Sequence, residues 1–98
     1  MARLIGKAVL TAGAQTLLGT VPQEGATINI RFANRSSDTK VWVWIGTGAA
    51  PVDTDNVTPG ITVKANTPYE DIGIAADGGE KVWVMAEGAG VTARAHGM

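Results

Sequence analysis

One histidine, two serines and a short acidic run are the side chains of this sequence whose chemistry comes closest to catalysis or metal binding. His96 is the only histidine. It stands two residues from the C-terminus, and chain ends are usually loosely held, a poor setting for a general base. Ser36 and Ser37 are the only serines. They sit in a polar turn without the G-x-S-x-G surroundings that expose a serine nucleophile. Asp53-Thr54-Asp55-Asn56 opens like a calcium loop, with alternating oxygen ligands. An EF-hand would place Gly at the sixth position and Glu at the twelfth; Thr58 and Lys64 stand there. An irregular cation site through Asp53 and Asp55 stays open beside the reading of a solvated loop. Glu70 and Asp71 are neighbours, so in a strand they point to opposite faces and do not form an acid–base pair. Gly46-Thr47-Gly48 and Gly88-Ala89-Gly90 start as phosphate loops do, but Pro51 and Ala93 hold the place of the third glycine. Both read as turns. Neither catalytic residues nor a cofactor nor a metal site is expected, and the chain reads as a non-enzymatic protein.

Composition narrows the classes further. The chain has 98 residues, enough for one domain, and no cysteine, which excludes disulfides, thiolate metal sites and cysteine nucleophiles. Eight Lys and Arg against nine Asp and Glu give a net charge of −1, without the basic excess of a nucleic-acid binder. Apolar residues at 45% and charged ones at 17% fit a folded domain. A domain this small buries only about two-thirds of its unfolded surface, so its core is thin and a partner subunit would help. Arg3 and Lys7 before Ala8, Val9 and Leu10 faintly resemble a secretory signal, but Lys7 interrupts the apolar run. No run approaches the ~18 apolar residues of a membrane span. A soluble protein with a free N-terminal arm is expected, and the N-x-[ST] matches at Asn34 and Asn56 carry little weight without secretion.

The elements that must hold these side chains are strands. Ile28, Ile30 and Phe32 alternate with Thr27, Asn29 and Arg31 across Ala26 to Arg35. Arg35 to Thr39 is turn material, and Lys40 to Ile45 is β-branched or aromatic after its lysine. A polar loop is expected over Gly46 to Asn56. Strands follow over Gly60 to Ala65, Pro68 to Ala75, Lys81 to Glu87 and Val91 to His96, with Gln15 to Val21 as another. Asp77-Gly78-Gly79-Glu80 signals a tight hairpin turn. Seven or eight short strands at intervals of about 8–12 residues predict an all-β fold, a single small antiparallel β-sandwich or jelly roll. Its main body is expected over residues 14–98. Residues 1–13 form either a first strand or an arm that pairs with a neighbour's sheet edge. Lys40-Val41-Trp42-Val43 recurs as Lys81-Val82-Trp83-Val84, too few copies for a repeat fold but enough to suggest strands that are adjacent or facing.

The tryptophans are the most informative residues. In Lys40 to Ile45, Val41, Val43 and Ile45 share one face while Trp42 and Trp44 share the other; Trp83 and Met85 do the same in the second copy. A sheet with one wet face alternates apolar and polar residues, so strands apolar on both sides need a second cover. Three covers are open: the Gly46–Asn56 loop or the N-terminal arm; a subunit or partner; or a sugar stacked on the indoles. A sugar site also wants carboxylates and amides, which the sequence cannot place there. Trp42, Trp44, Trp83 and Met85, with Leu4 and Ile5 of the N-terminal segment, are the candidate interface residues.

Leu17-Leu18-Gly19-Thr20-Val21-Pro22, Gly25 to Ile30 and Ala33-Asn34-Arg35, then the Gly48 to Asp55 loop, Gly79 to Val84 and Val91 to Gly97, together resemble small virion structural proteins of tailed bacteriophages. The resemblance covers nearly the whole chain, through structural motifs of moderate specificity. It implies a β-sandwich repeated on the particle, with no catalytic residue to carry over. The expected role is a capsid decoration, or cement, protein. It would be a homotrimer that binds the major capsid protein or other virion proteins, contacts neither nucleic acid nor membrane, and resides in the virion assembled in the host cytoplasm. A tail, baseplate or fibre component is the alternative within the class, and a carbohydrate-binding module the alternative outside it. The density of tryptophan departs from the pattern and suggests a more specialised contact.

Overall fold

Alternating apolar residues become eight strands in the computed structural model, which describes residues 3–98. They are β1 (Arg3–Val9), β2 (Thr16–Thr20), β3 (Ala26–Asn34), β4 (Thr39–Gly46), β5 (Asn56–Val63), β6 (Pro68–Ala76), β7 (Lys81–Ala86) and β8 (Val91–Gly97). One turn of 3-10 helix, Asp53–Asp55, interrupts the loop between β4 and β5. The strands form two four-stranded sheets, ordered β1-β8-β3-β6 and β2-β7-β4-β5. All pairings are antiparallel, and β1 with β8, β2 with β7, β3 with β6 and β4 with β5 are the pairs of one long hairpin rolled on itself. That is the jelly-roll form of the β-sandwich.

The period-2 pattern decides which residues meet between the sheets. Ile28, Ile30 and Phe32 of β3 and Ala93 and Ala95 of β8 face Val41, Val43 and Ile45 of β4 and Val82 and Val84 of β7, and all are buried. Each fully buried Val, Ile or Phe contributes about 1.5–3 kcal/mol relative to exposure. The alanines of β8 leave room for Phe32, which lies against Tyr69 of β6 with ring centroids 6.4 Å apart.

Three features differ from the sequence reading. Residues from Arg3 on are not the free arm but, by the other of the two readings, the domain's own first strand: β1 pairs with β8 along the first sheet, and Met1 and Ala2 lie outside the described residues. The strand expected from Gly60 starts four residues earlier, at the end of the expected Gly46–Asn56 loop: β5 begins at Asn56 and runs through Pro59. Proline is tolerated there because β5 is an edge strand and its ladder shifts register between Val41 and Trp42. His96 is held in β8, an interior strand, between Leu4 of β1 and Asn29 of β3. The echoed strands β4 and β7 are adjacent, with Val43 opposite Val84.

Candidate interaction surface

The candidate residues of β4 and β7 converge on the outer face of the second sheet. Val41, Val43, Val82 and Val84 point inward, so the residues between them must point out. Antiparallel pairing then sets Trp42 opposite Met85 and Trp44 opposite Trp83, while Leu17 of β2 stands on the far side of Trp83. Four of the six candidate residues thus form one patch, extended by Leu17, which is 43% exposed. Leu4 and Ile5 do not join it. They belong to β1 in the other sheet, where Leu4 is exposed and Ile5 packs against the core.

The loop covers one end of this patch. Asp55 folds back so that its carboxylate accepts the Val52 backbone N–H at 3.3 Å and lies against Gly46. A side chain on Gly46 would displace that carboxylate. Lys81 donates to the Gly48 carbonyl at 3.4 Å from the neighbouring strand. Trp44, nearest this closure, is only 9% exposed, whereas Trp42, Trp83 and Met85 remain half-buried. The indole N–H of Trp83 is buried, and no described residue accepts it. Of the two intramolecular covers considered, the loop acts on the indoles, while the N-terminal segment lies in the opposite sheet.

Beside the loop, Trp42, Trp44, Asp53, Asn56 and Pro59 line a groove of about 290 Å3. The Trp42 ring lies over Gly60, whose φ of +82° marks the bulge in β5; a Cβ there would come within 2.9 Å of the indole nitrogen. The fold therefore does place a carboxylate and an amide near indoles, which the sequence could not do. They are poorly arranged for a sugar. The Asn56 amide already donates to the Val43 and Thr58 carbonyls, both at 3.1 Å, and Trp44 offers almost no ring face. One half-open ring and one exposed carboxylate remain.

The other candidate chemistry is dispersed. His96 pairs with Asn29, while Ser36 and Ser37 lie beyond Asn34 at the other end of β3. At about 3.4 Å per residue those five positions separate them by roughly 17 Å, so they cannot act together. Among the described residues, no three acidic or histidine side chains converge on a point that could hold a metal ion. Glu70 points out to Arg31 at 3.2 Å and Asp71 points inward, so the two neighbours take opposite faces.

Two polar residues matter that sequence reasoning passed over as sites. Asn34, 2% exposed, donates to the carbonyls of Ser37, Val63 and Lys64 and accepts the Ser36 N–H, tying the end of β3 to the end of β5 in the other sheet. Its amide and that of Asn56 are both engaged by the fold. Thr58 of β5, buried, donates to the Asp71 carboxylate of β6 across the gap between the sheets. Burial raises the Asp71 carboxyl above its ordinary value of 3.8. Burial, followed by the Asp71 charge, raises the Tyr69 hydroxyl. The only foretaste in the sequence is a polar residue at the end of β3 and others within β5 and β6.

No family model matches the chain, and no curated protein matches it.

Proposed function

We propose that the protein is a non-enzymatic structural component of a tailed-phage particle, a capsid decoration protein that stabilises the shell by contact. The observation that carries the reading is the outer face of the second sheet, where Trp42, Trp83, Met85 and Leu17 present a contiguous apolar patch that the loop covers at one end only. Patches of this kind mark contacts, and tryptophan is enriched where contacts contribute most. The resemblance along the chain to small virion proteins supplies the particle. The mechanism is mass action: a ligand that binds the assembled lattice and not its separate subunits shifts the equilibrium towards the lattice.

Co-sedimentation tests it. Purified protein is mixed with particles of the phage that carries the gene, prepared without this protein, and pelleted. Saturable binding to heads supports the reading; binding confined to isolated tails moves the protein to the tail or baseplate. No binding to either overturns it. Trp42→Ala, at a half-buried position, is expected to weaken binding at least tenfold with the fold retained.

A further inference from the structure

The opposite side of the molecule carries a charge row that only the strand register creates. On the first sheet Lys7 of β1 stands opposite Arg94 of β8, Arg94 opposite Arg31 of β3, and Arg31 opposite Glu70 of β6. Neighbouring strands are about 4.8 Å apart, and like charges directly opposite repel. Three cations in a row therefore destabilise the isolated chain. Glu70 pairs with Arg31 alone, both are about half exposed, and such a pair offsets little. Lys7 and Arg94 have no ion-pair partner among the described residues.

The row lines a groove of about 540 Å3 together with Val9, Ala33 and Thr92. Val9 is 71% exposed, so the groove offers apolar surface beside its cations. Three of the chain's eight cations and one of its nine acids are here, which leaves five cations against eight acids elsewhere. The complementary surface is on the same chain. Beyond the far end of β4, on the other sheet, the loop presents Val52, 56% exposed, beside the exposed Asp53 at the rim of the Trp42 groove. Asp53 and Asp55 also lack an ion-pair partner among the described residues. One surface is apolar and cationic, the other apolar and acidic. They lie on different sheets and toward opposite ends, so they cannot meet within one copy.

We propose that copies of this chain join head to tail, with the Val52–Asp55 loop and Trp42 rim of one copy seated in the Lys7–Arg31–Arg94 groove of the next. The occupant of the cationic groove is a second copy of the chain. The proposal rests on the reading of the tryptophan face as a contact surface and assigns only its Trp42 end to a neighbouring copy, leaving Trp83, Met85 and Leu17 for the shell. A joint between two different patches is heterologous: it closes into a ring, a trimer among others, or continues as a filament, but is not the self-complementary patch of a two-fold dimer.

The test is solution mass by light scattering after size exclusion, over a range of concentrations, for the wild type, Arg94→Glu, Asp53→Lys and their equimolar mixture. Both substitutions are at exposed positions, and circular dichroism checks that each variant keeps its strands. The wild type is expected to exceed the mass of a dimer and to lose mass as salt rises from about 50 to about 500 mM, where screening shortens to a few ångströms. Each variant alone is expected to fall to monomer. The mixture is expected to regain mass, because the reversed groove of one variant meets the reversed loop of the other, and the normal groove of the second meets the normal loop of the first. A wild type that is monomeric throughout, variants that keep the wild-type mass, or a mixture that stays monomeric would overturn the joint. A monomer that still pellets with particles overturns the joint and leaves the virion reading standing. An assembled chain that ignores particles does the reverse.

Discussion

Trp44 of β4 stands directly opposite Trp83 of β7, yet the two indoles have different surroundings: the Asp55 closure leaves Trp44 9% exposed, while Trp83 is only half-buried. One apolar row on one sheet face is therefore divided into an inner part, held by the chain's own loop, and an outer part left open. That division separates residues that keep the domain folded from residues that can contact another molecule.

Substitution should expose the division. Trp44→Ala is expected to cost about 3–5 kcal/mol, as large aromatic truncations in packed sites do. Trp42→Ala removes a half-buried ring and should cost about half as much or less, with its main effect on binding. Urea denaturation of both variants, followed by circular dichroism, gives the ordering.

Asn34→Ala is expected to destabilise the domain by about 2–3 kcal/mol, because it leaves buried carbonyls at Ser37 and Val63 without a donor. Asn34→Asp should do no better, since a carboxylate accepts and cannot donate to them. Equilibrium unfolding of the two variants measures it.

The pH dependence has two opposed parts. Burial raises the Asp71 carboxyl in the folded chain above 3.8, so the folded state binds protons first. Its contribution to stability grows as pH falls from neutral through that raised value and levels off below about 3.8. Asp38 is the reverse. The Ala65 N–H at 2.9 Å and the Lys64 ammonium at 3.3 Å hold its carboxyl below 3.8, so its contribution is complete above that value and is lost as pH falls through the lowered one. Asp71→Asn keeps an acceptor for the Thr58 hydroxyl and should raise the melting temperature at pH 7 while removing the gain on mild acidification. Asp38→Asn should flatten only the limb below about pH 4. Thermal melts from pH 3 to 7 check both signs.

Gly60→Ala should cost about 1–2 kcal/mol, because φ is +82° and the added methyl meets the Trp42 ring. A shift in tryptophan fluorescence should accompany the lower melting temperature.

Much of the fold is legible in the sequence because its signal is local. Ile28, Ile30 and Phe32 alternate, β4 and β7 are β-branched on their inner faces, and Asp77 to Glu80 marks a turn. What is not legible depends on register between distant strands. Lys7, Arg31 and Arg94 are unremarkable in their own segments and become a row only once the hairpin rolls and brings β1, β8 and β3 together. The start of β5 is hidden by Pro59, which reads as a strand boundary until the strand is known to lie at an edge. The pairing of Trp44 with Trp83 follows from the antiparallel alignment of two similar segments, which similarity alone leaves undetermined. The closure of the loop by Asp55 over Gly46 is likewise a tertiary contact, between a glycine that reads as turn material and an aspartate that reads as solvated loop or cation ligand.

The most direct measurement of the central claim is the thermal stability of phage particles made without this protein, before and after adding it back. Particles are heated, and the temperature at which a DNA-binding dye reports genome release is recorded. Stabilisation by contact predicts a release temperature that rises with added protein, saturates, and rises much less with Trp42→Ala. A release temperature that does not change at saturating protein would contradict it.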